Sequence, residues 1–293
     1  MSAIETAASP QLAEPSVPPS RRPVLLIKRS TGWSALDLRE LWRYRDLLTI
    51  LIERDIRLRY KQTALGVVWV VLQPLIAAAI FAVIFGRLAK MPSDGQPYLL
   101  FVFCGLAAWT YFSQALQRAS NSLVTNAQLV SKVYFPRILI PLAHALAVLV
   151  DIAVMIIILF FLMVFYRTPI TWHLLALPGF LLLAVLTATG MSLWFSALSV
   201  RYRDFTYTLP FLIQVWLYAS PVVYPAAIIP AAWRNWYSIN PVVGFVEGFR
   251  WSALGHSALT AKMLGITVVA SLFVFLSGAF FFRRVERSFA DVI

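Results

Sequence analysis

The sequence predicts an all-α integral membrane protein with six transmembrane helices. Six long apolar stretches, separated by short connections that contain arginine, lie between about residues 67 and 282. The chain of 293 residues is 60% hydrophobic and only 13% charged, and its mean hydropathy is +0.76. Because a helix needs about 20 apolar residues to cross a bilayer, each stretch is long enough to span one. A soluble chain of this length would carry a larger charged surface.

The N-terminal region divides into two parts. Residues 1–30 are rich in Ala, Ser, Pro and Glu, a composition that predicts a disordered tail. The apolar run at residues 24–27 is too short for the hydrophobic region of a signal peptide, so we expect no cleavable signal. Residues 31–66 are predicted to form a cytoplasmic region built around an amphipathic interface helix.

This interface helix is predicted over residues 44–63. Apolar residues recur there at helical spacing, whereas Arg, Lys and Glu occupy the other faces. Such a helix lies along the inner membrane surface, with its arginines among lipid phosphates. Two interpretations stay open: an anchor that sets topology, and a lever that couples a cytoplasmic partner to the first span.

The spans form one transmembrane domain over residues 67–282, followed by a cytoplasmic tail over residues 283–293. In chain order they cover residues 67–86, 98–117, 138–165, 174–199, 206–224 and 262–282. The third run exceeds the length that a bilayer requires, so this helix is expected to tilt or to extend into water. Lys and Arg concentrate before the first span, in the second and fourth connections and in the tail. By the positive-inside rule, both termini are therefore cytoplasmic.

The connection between the fifth and sixth spans differs from an ordinary loop. Residues 220–251 are apolar and aromatic but are interrupted by four prolines, which predicts short re-entrant or interfacial helices. An interfacial belt of aromatic rings explains part of this pattern. An exit lined by rings on which sugars stack explains the rest. The residues concerned are Tyr224, Trp233, Trp236, Tyr237 and Trp251.

Asp151 is the one acidic residue well inside a predicted span, and His144 lies seven residues before it on the same helix face. An intramembrane carboxylate is costly and therefore suggests a function. The pair could begin a proton relay, but a relay normally contains further ionisable groups along its path. We favour a structural role in which Asp151 bonds to a neighbouring helix.

Several function classes find no support in the sequence. No G-x-x-x-x-G-K-[ST] motif is present, so any ATP that drives this protein binds to another chain. No His, Cys or Glu residues stand at the spacing of a metal site, and Cys104 is the only cysteine. The basic residues lie beside the spans and form no separate basic domain, which argues against nucleic-acid binding. We expect no cofactor in this chain and no catalytic residue.

Five sequence strings occur together in this chain. They are RDIRLRYKQTALG at residues 54–66 with Trp69 and Pro74 after it, SKVYFPR at 131–137, VRYRD at 200–204, SPVVYP at 220–225, and NPV at 240–242 with Glu247 and Arg250. In this order they resemble the permease subunits of type-2 ATP-binding-cassette exporters. The nearest branch is the one that exports O-antigen, capsule and teichoic acid. The resemblance covers about residues 36–284 and leaves the N-terminal tail out.

The resemblance implies a bacterial inner-membrane complex of two copies of this chain and two copies of a separate ATPase subunit, which would bind ATP and Mg²⁺. Its substrate would be a polysaccharide on a lipid such as undecaprenyl diphosphate, and the aromatic connection would form a periplasmic gate. Contact with the ATPase is implied for the interface helix and for Gln128, Lys132, Phe135, Pro136 and Arg137. The basic residues that could meet the lipid diphosphate, or simply membrane phosphates, are Arg54, Arg57, Arg59 and Lys61.

Two other functions stay open as alternatives. Within the same family, the substrate could be a small hydrophobic compound or drug. In a different class, a proton-coupled secondary carrier would use Asp151 and His144, although the inverted repeats typical of such carriers are not evident. A membrane-embedded glycosyltransferase is disfavoured because the predicted non-cytoplasmic connections hold only Asp94 and Glu247 as acids.

Overall fold

A computed structural model describes residues 38–61, 66–286 and 289, so the predicted tail at residues 1–30 lies outside the described residues. Every described element is helical. The α-helices are α1 (Leu38–Arg43), α2 (Arg45–Tyr60), α3 (Gly66–Phe81), α4 (Tyr98–Thr125), α5 (Ala127–Lys132), α6 (Leu139–Ala147), α7 (Leu149–Phe165), α8 (Leu177–Arg201), α9 (Phe205–Tyr218), α10 (Ala231–Tyr237), α11 (Pro241–Leu254) and α12 (Ala261–Val285). A π-helical segment, Ala82–Leu88, extends α3, and 3-10 turns occupy Trp172–Ala176 and Ala226–Ile228.

Within the part of the chain that the structure describes, five helical segments are long and apolar enough to cross a membrane. They are Val68–Leu88, Tyr98–Thr125, Leu139–Phe165, Trp172–Arg201 and Ala261–Val285, and they coincide with five of the six predicted spans. The third of these is divided, because α6 ends at Ala147 and α7 begins at Leu149.

The predicted fifth span is shorter in the structure than in the sequence analysis. Helix α9 has 14 residues and ends at Tyr218, whereas the prediction extended to residue 224. Its length of about 21 Å is less than the hydrocarbon thickness of about 30 Å. The helix ends there because Pro221 disfavours the helical conformation at Ser220 and supplies no N–H of its own. By length, five of the described helical segments qualify as spans, and α9 is too short to be counted with them.

The core of the bundle forms around α4 and α8, and α8 also packs against α12. Helix α4 is the most deeply buried of the spans. Small side chains on α8 allow this close packing. They form a stripe at four-residue spacing along α8, and all of them are fully buried: Ala184, Ala188, Ser192 and Ser196. Ser192 Oγ donates to the carbonyl oxygen of Ala115 on α4 at 3.4 Å. Where α8 crosses α12, a Cβ on Gly278 would lie 2.2 Å from the Gly190 carbonyl oxygen, so only glycine fits.

A second core, separate from this one, joins elements that are distant in the chain. It contains Leu51 of α2, Val130 and Phe135 between α4 and α6, and Phe282 of α12. Phe289, beyond the end of α12, is also buried in it. The predicted interface helix therefore packs on the same apolar centre as the end of the last span.

Candidate functional site

Polar contacts concentrate at the two ends of α4. Arg54 of α2 donates to Asn126, just beyond the last residue of α4, whereas Tyr98, its first residue, donates to the Val223 carbonyl oxygen. Helix α4 has 28 residues, a length of about 42 Å. The two regions, called here the α2 end and the α10 end, therefore lie on opposite sides of the bundle.

At the α2 end, Asp151 binds the interface helix and not His144. Its carboxylate accepts hydrogen bonds from the Arg59 guanidinium and the Tyr60 hydroxyl, and the residue is only 2% exposed. A buried carboxylate needs such partners because an unpaired charge is costly to desolvate. Burial, followed by the hydrogen bond to Asp151, raises the pKa of Tyr60, so the phenol keeps the proton that it donates.

His144 faces a different residue of the same helix. Its Nδ1 lies 3.1 Å from Asp55 Oδ2 and 2.9 Å from the Ile140 carbonyl oxygen. Asp55 and Arg59 are one turn apart on α2, so α2 contacts α6 and α7 at two successive turns. Among the described residues no hydrogen bond joins His144 to Asp151, and this geometry fits the structural role better than a relay.

The basic residues of α2 are largely engaged with protein oxygens. Arg54 Nη2 lies 3.1 Å from Asp55 Oδ1 and 3.0 Å from Asn126 Oδ1. Arg57 pairs with Glu53 at 3.0 Å, and Arg59 pairs with Asp151. Lys61 is exposed. Three of the four residues predicted to meet a lipid diphosphate are thus paired with carboxylates of this chain.

A polar pocket of about 290 Å³ lies beside these pairs. Its lining includes Arg118 of α4, which the sequence analysis did not single out. The sequence analysis used the basic residues of the second connection only to assign the orientation of the spans, because Arg118 directly follows a predicted span. Asp55 and Asn126 were also missed, since neither carries a sequence signal for its partner. The pocket is lined by Asp55, Leu58, Arg59, Arg118, His144 and Ala147.

The predicted ATPase-coupling residues separate into exposed and buried groups. Gln128 and Lys132 are exposed, and Tyr134 between the two groups is 75% exposed. Phe135 and Pro136 are buried, with Phe135 in the second core. We call residues 128–137 the coupling segment. Its exposed part, residues 131–134, is available to a partner, and its buried part anchors it to the bundle.

At the α10 end, the side chain of Arg250 satisfies irregular backbone. Arg250 is fully buried, and its Nη1 donates to the carbonyl oxygens of Pro221 at 2.7 Å and of Tyr224 at 3.2 Å. Its Nη2 donates to the Val222 carbonyl oxygen. Tyr98 Oη donates to the remaining carbonyl, that of Val223, at 2.6 Å. Four consecutive carbonyls outside any helix thereby find side-chain donors.

Glu247 completes this buried cluster. Its Oε1 lies 2.9 Å from Arg250 Nη1 and accepts from the Ala226 main-chain N–H at 3.1 Å. The guanidinium also lies over the Phe101 ring, 3.8 Å from its centroid. A Cβ at Gly105 would lie 2.7 Å from Arg250 Nη2, so glycine is needed for the arginine to enter. The sequence analysis noted Glu247 and Arg250 as parts of a motif, and Glu247 as an acid of a predicted non-cytoplasmic connection, but it did not predict that the two residues pair.

The structure brings together some of the predicted gate aromatics and separates others. The hydroxyls of Tyr224 and Tyr237 lie 2.9 Å apart, and burial, with this hydrogen bond, raises the pKa of Tyr237. Trp233 and Trp236 are 65% and 68% exposed and lie three residues apart on α10. Trp251 belongs to another cluster, because its ring lies 4.5 Å from that of His173.

Comparison with known proteins identifies the family. The model of the family described as ABC-2 type transporter matches residues 46–254, which run from α2 to the end of α11. The chain belongs to the ABC-2 type transporter family. The match includes both the α2 end and the α10 end of this ABC-2 protein, and α12 lies beyond it.

Individual relatives of this ABC-2 protein carry related names. The O-antigen export system permease protein RfbA of Myxococcus xanthus is 24% identical over 87% of this chain and 98% of that protein. A protein of the same name from Klebsiella pneumoniae is 27% identical, over 85% and 95%. The polysialic acid transport protein KpsM of Escherichia coli is 23% identical, over 81% and 93%.

Proposed function

We propose that this chain is the membrane-spanning permease subunit of an ATP-driven exporter of lipid-linked polysaccharide in the bacterial inner membrane. The observation that carries the proposal is the similarity, over most of both chains, to permeases named for O-antigen export and polysialic acid transport. A long polar glycan cannot cross hydrocarbon without a continuous protein-lined passage. The working unit is two copies of this permease, which form the passage between them.

ATP binding and hydrolysis, with Mg²⁺, belong to two copies of a separate cytoplasmic subunit. The absence of a P-loop motif from the sequence supports this division. The exposed residues Lys132 and Tyr134 form the surface that meets this subunit. Movement of the coupling segment is passed to the spans through the second core, and through the pairs that join α2 to α6 and α7.

The topology of the proposed permease has six crossings, with both termini in the cytoplasm. In this arrangement α9 and the irregular residues 219–224 together make the fifth crossing. The cluster around Arg250 supports it, since it supplies donors to backbone that would otherwise be unsatisfied at membrane depth. Helices α10 and α11 are then short re-entrant helices at a periplasmic gate.

Glycan contact at this gate is assigned to Trp233 and Trp236. Both rings are exposed, and residues three apart lie on the same helix face. Flat apolar faces with polar edges suit a sugar chain that must slide, because they bind it with little directional demand. Trp251 is left out of this role since it packs against His173, and Tyr224 and Tyr237 bond each other below the exposed face.

Contact with the lipid diphosphate is assigned to the α2 end. Lys61 is exposed there, and Arg118 lines the adjacent polar pocket. Arg54, Arg57 and Arg59 act mainly through their pairs with carboxylates. Lys and Arg bind phosphate through charge-assisted hydrogen bonds.

Loss of this chain tests the proposal. In the native bacterium, depletion of the permease should leave lipid-linked glycan in the cytoplasmic leaflet, and wild-type permease supplied from a plasmid should restore surface display. Normal display of glycan without the chain would overturn the proposal. In vesicles, the permease alone should not transport under a proton gradient, whereas a proton-coupled carrier would.

One observation favours the second candidate, export of a small hydrophobic compound. An apolar groove of about 280 Å³ lies between α4, α8 and α9, and a groove of this size suits a compact apolar ligand. It is lined by Leu116, Phe195, Leu209, Leu212, Ile213, Val215, Trp216 and Ala219. If this candidate is right, the complex in proteoliposomes exports such a compound and Leu212→Trp blocks that export. Export of glycan without export of the compound would contradict it.

A further inference from the structure

The end of α12 is bonded to the coupling segment. The main-chain N–H of Arg137 donates to Glu286 Oε1 at 3.0 Å, and Nη1 of Arg137 donates to the Glu286 carbonyl oxygen at 3.0 Å. These two contacts join residues 149 positions apart in the chain. They fix the last residue of the coupling segment to the end of the last span.

Glu286 is itself held in place by its own helix. Its Oε2 lies 3.9 Å from Arg283 Nη1, one turn earlier. Hydrogen bonds to an ionised carboxylate are shorter and stronger than those between neutral groups. The carboxylate therefore presents Oε1 to Arg137 in a defined direction.

Apolar contacts reinforce the same connection. Phe289 is fully buried, and its ring packs edge-on against Phe282, with the centroids 5.5 Å apart. Both rings belong to the second core with Val130 and Phe135 of the coupling segment. Glu286 and Phe289 thus support the segment by hydrogen bonds and by packing, respectively.

We propose that Glu286 and Phe289 are positioning residues for ATPase coupling. They hold the coupling segment so that the exposed side chains of Lys132 and Tyr134 keep one orientation toward the ATPase. This inference rests on the proposed function and adds to it a role for the chain end. That end lies outside residues 46–254, which the family model matches.

A spin label tests the positioning directly and needs no ATPase. Val133 is 51% exposed, so Val133→Cys accepts a nitroxide label, whereas the native Cys104 is buried. Glu286→Ala should increase the mobility of this label in the purified permease. Glu286→Gln should leave it unchanged, because the amide oxygen still accepts from the Arg137 N–H. Unchanged mobility in Glu286→Ala would overturn the inference.

Matched variants separate positioning from general damage. Arg284→Ala changes an exposed neighbour on the same helix end and should leave the label as in the wild type. Phe289→Leu keeps an apolar side chain but loses the ring contact with Phe282. It should increase the mobility of the spin label, as Glu286→Ala does. If Glu286→Ala yields too little folded permease, the test rests on Phe289→Leu. Unchanged mobility of the spin label in that variant would then overturn the inference.

Export by the complex with its ATPase tests the consequence. In proteoliposomes, glycan exported per ATP hydrolysed should fall roughly tenfold in Glu286→Ala and less than about twofold in Glu286→Gln, since the Arg137 N–H loses its side-chain acceptor only in the first. A looser label with unchanged export per ATP would refute the inference and leave the proposed function standing. A wild-type complex that exports no glycan would instead refute the proposed function.

Discussion

At the residue scale, the buried charges of this protein hold irregular segments and separate helices together. Arg250 has the only guanidinium that is fully buried among the described residues. It bonds four carbonyls, those of Phe101, Pro221, Val222 and Tyr224, and one carboxylate, a set that matches its planar fork of donors. Asp151 plays the corresponding part at the other end, where it joins the third predicted span to α2. In both places the charge is neutralised by a partner from this chain.

Arg250→Met should destabilise the folded permease strongly. The substitution keeps a similar volume but removes the guanidinium partner of buried Glu247 and the donor to four carbonyls, a loss of about 3–5 kcal/mol. The measurement is the temperature at which the purified protein loses its monodisperse peak in detergent. Arg234→Met is the control, because Arg234 bonds the Ala227 and Ile229 carbonyls in a more exposed place and should lower that temperature less. Equal stability of both variants would contradict the proposed role.

Asp151→Asn should weaken the connection between α2 and α7 without removing volume. The amide cannot form an ion pair with Arg59, so ATP hydrolysis should drive export less efficiently, by about tenfold. Glycan exported per ATP in proteoliposomes is the measurement. Asp46→Asn, at an exposed carboxylate of α2, should behave as the wild type.

A double-mutant cycle identifies the partner of Asp151. Arg59→Gln alone and together with Asp151→Asn should have nearly the same effect as Asp151→Asn alone, since each breaks the same pair. Additive losses would show that the two residues act separately. Export that fails in Asp151→Asn but is unaffected in Arg59→Gln would favour the proton relay.

At the scale of elements, the coupling segment combines an exposed surface with a buried anchor. In the second core, its buried residues pack with residues of α2, α6, α8 and α12. Because the coupling segment packs against several helices at once, a displacement of the segment must also displace those helices. The interface helix meets the same core through Leu51 and contacts the spans through Asp55 and Arg59. These contacts favour the lever over the anchor as the interpretation of α2.

Tyr134→Ala and Phe135→Ala should separate docking from folding. Tyr134 is exposed, so its loss should reduce co-purification of the ATPase while leaving the melting temperature unchanged. Phe135 is 7% exposed, so its loss leaves a cavity and should cost about 3–5 kcal/mol of stability. Both measurements are made on the same purified variants. Normal ATPase recovery with Tyr134→Ala would contradict the assignment of the exposed surface.

At the scale of the whole molecule, one chain provides one half of the proposed conduit. Long apolar faces of α3, α7 and α12 are exposed, as lipid contact requires, and α4 fills the centre. Two positions in the bundle depart from continuous helix: the break at Val148 between α6 and α7, and the segment after Tyr218. Whether α9 completes a crossing decides on which side α10 lies.

Cysteine accessibility should show six crossings. A membrane-impermeant maleimide added to intact cells with a permeable outer membrane should label Ser93→Cys and Ala232→Cys, but should label Ser131→Cys only after lysis. The buried Cys104 provides the unlabelled background. Protection of Ala232→Cys until lysis would place α10 in the cytoplasm. That location requires an even number of crossings before α10, such as four, and would contradict the proposed topology.

The sequence by itself determined the membrane class, the positions of five spans, the interface helix and the motifs of the exporter family. These properties are local, because hydropathy, periodicity and short strings are complete within a few turns of chain. The length of α9 was overestimated, since apolar residues continue past Tyr218 although the prolines end the helix there.

Only the tertiary structure decided which charges meet, which part of the coupling segment is exposed, and that Trp251 packs in a different cluster from Trp233 and Trp236. Arg59 and Asp151 are 92 positions apart in the chain, and Arg137 and Glu286 are 149 apart. Pairing over such separations depends on how the helices pack, and packing is set by side-chain volumes at many contacts at once. No local pattern carries that information.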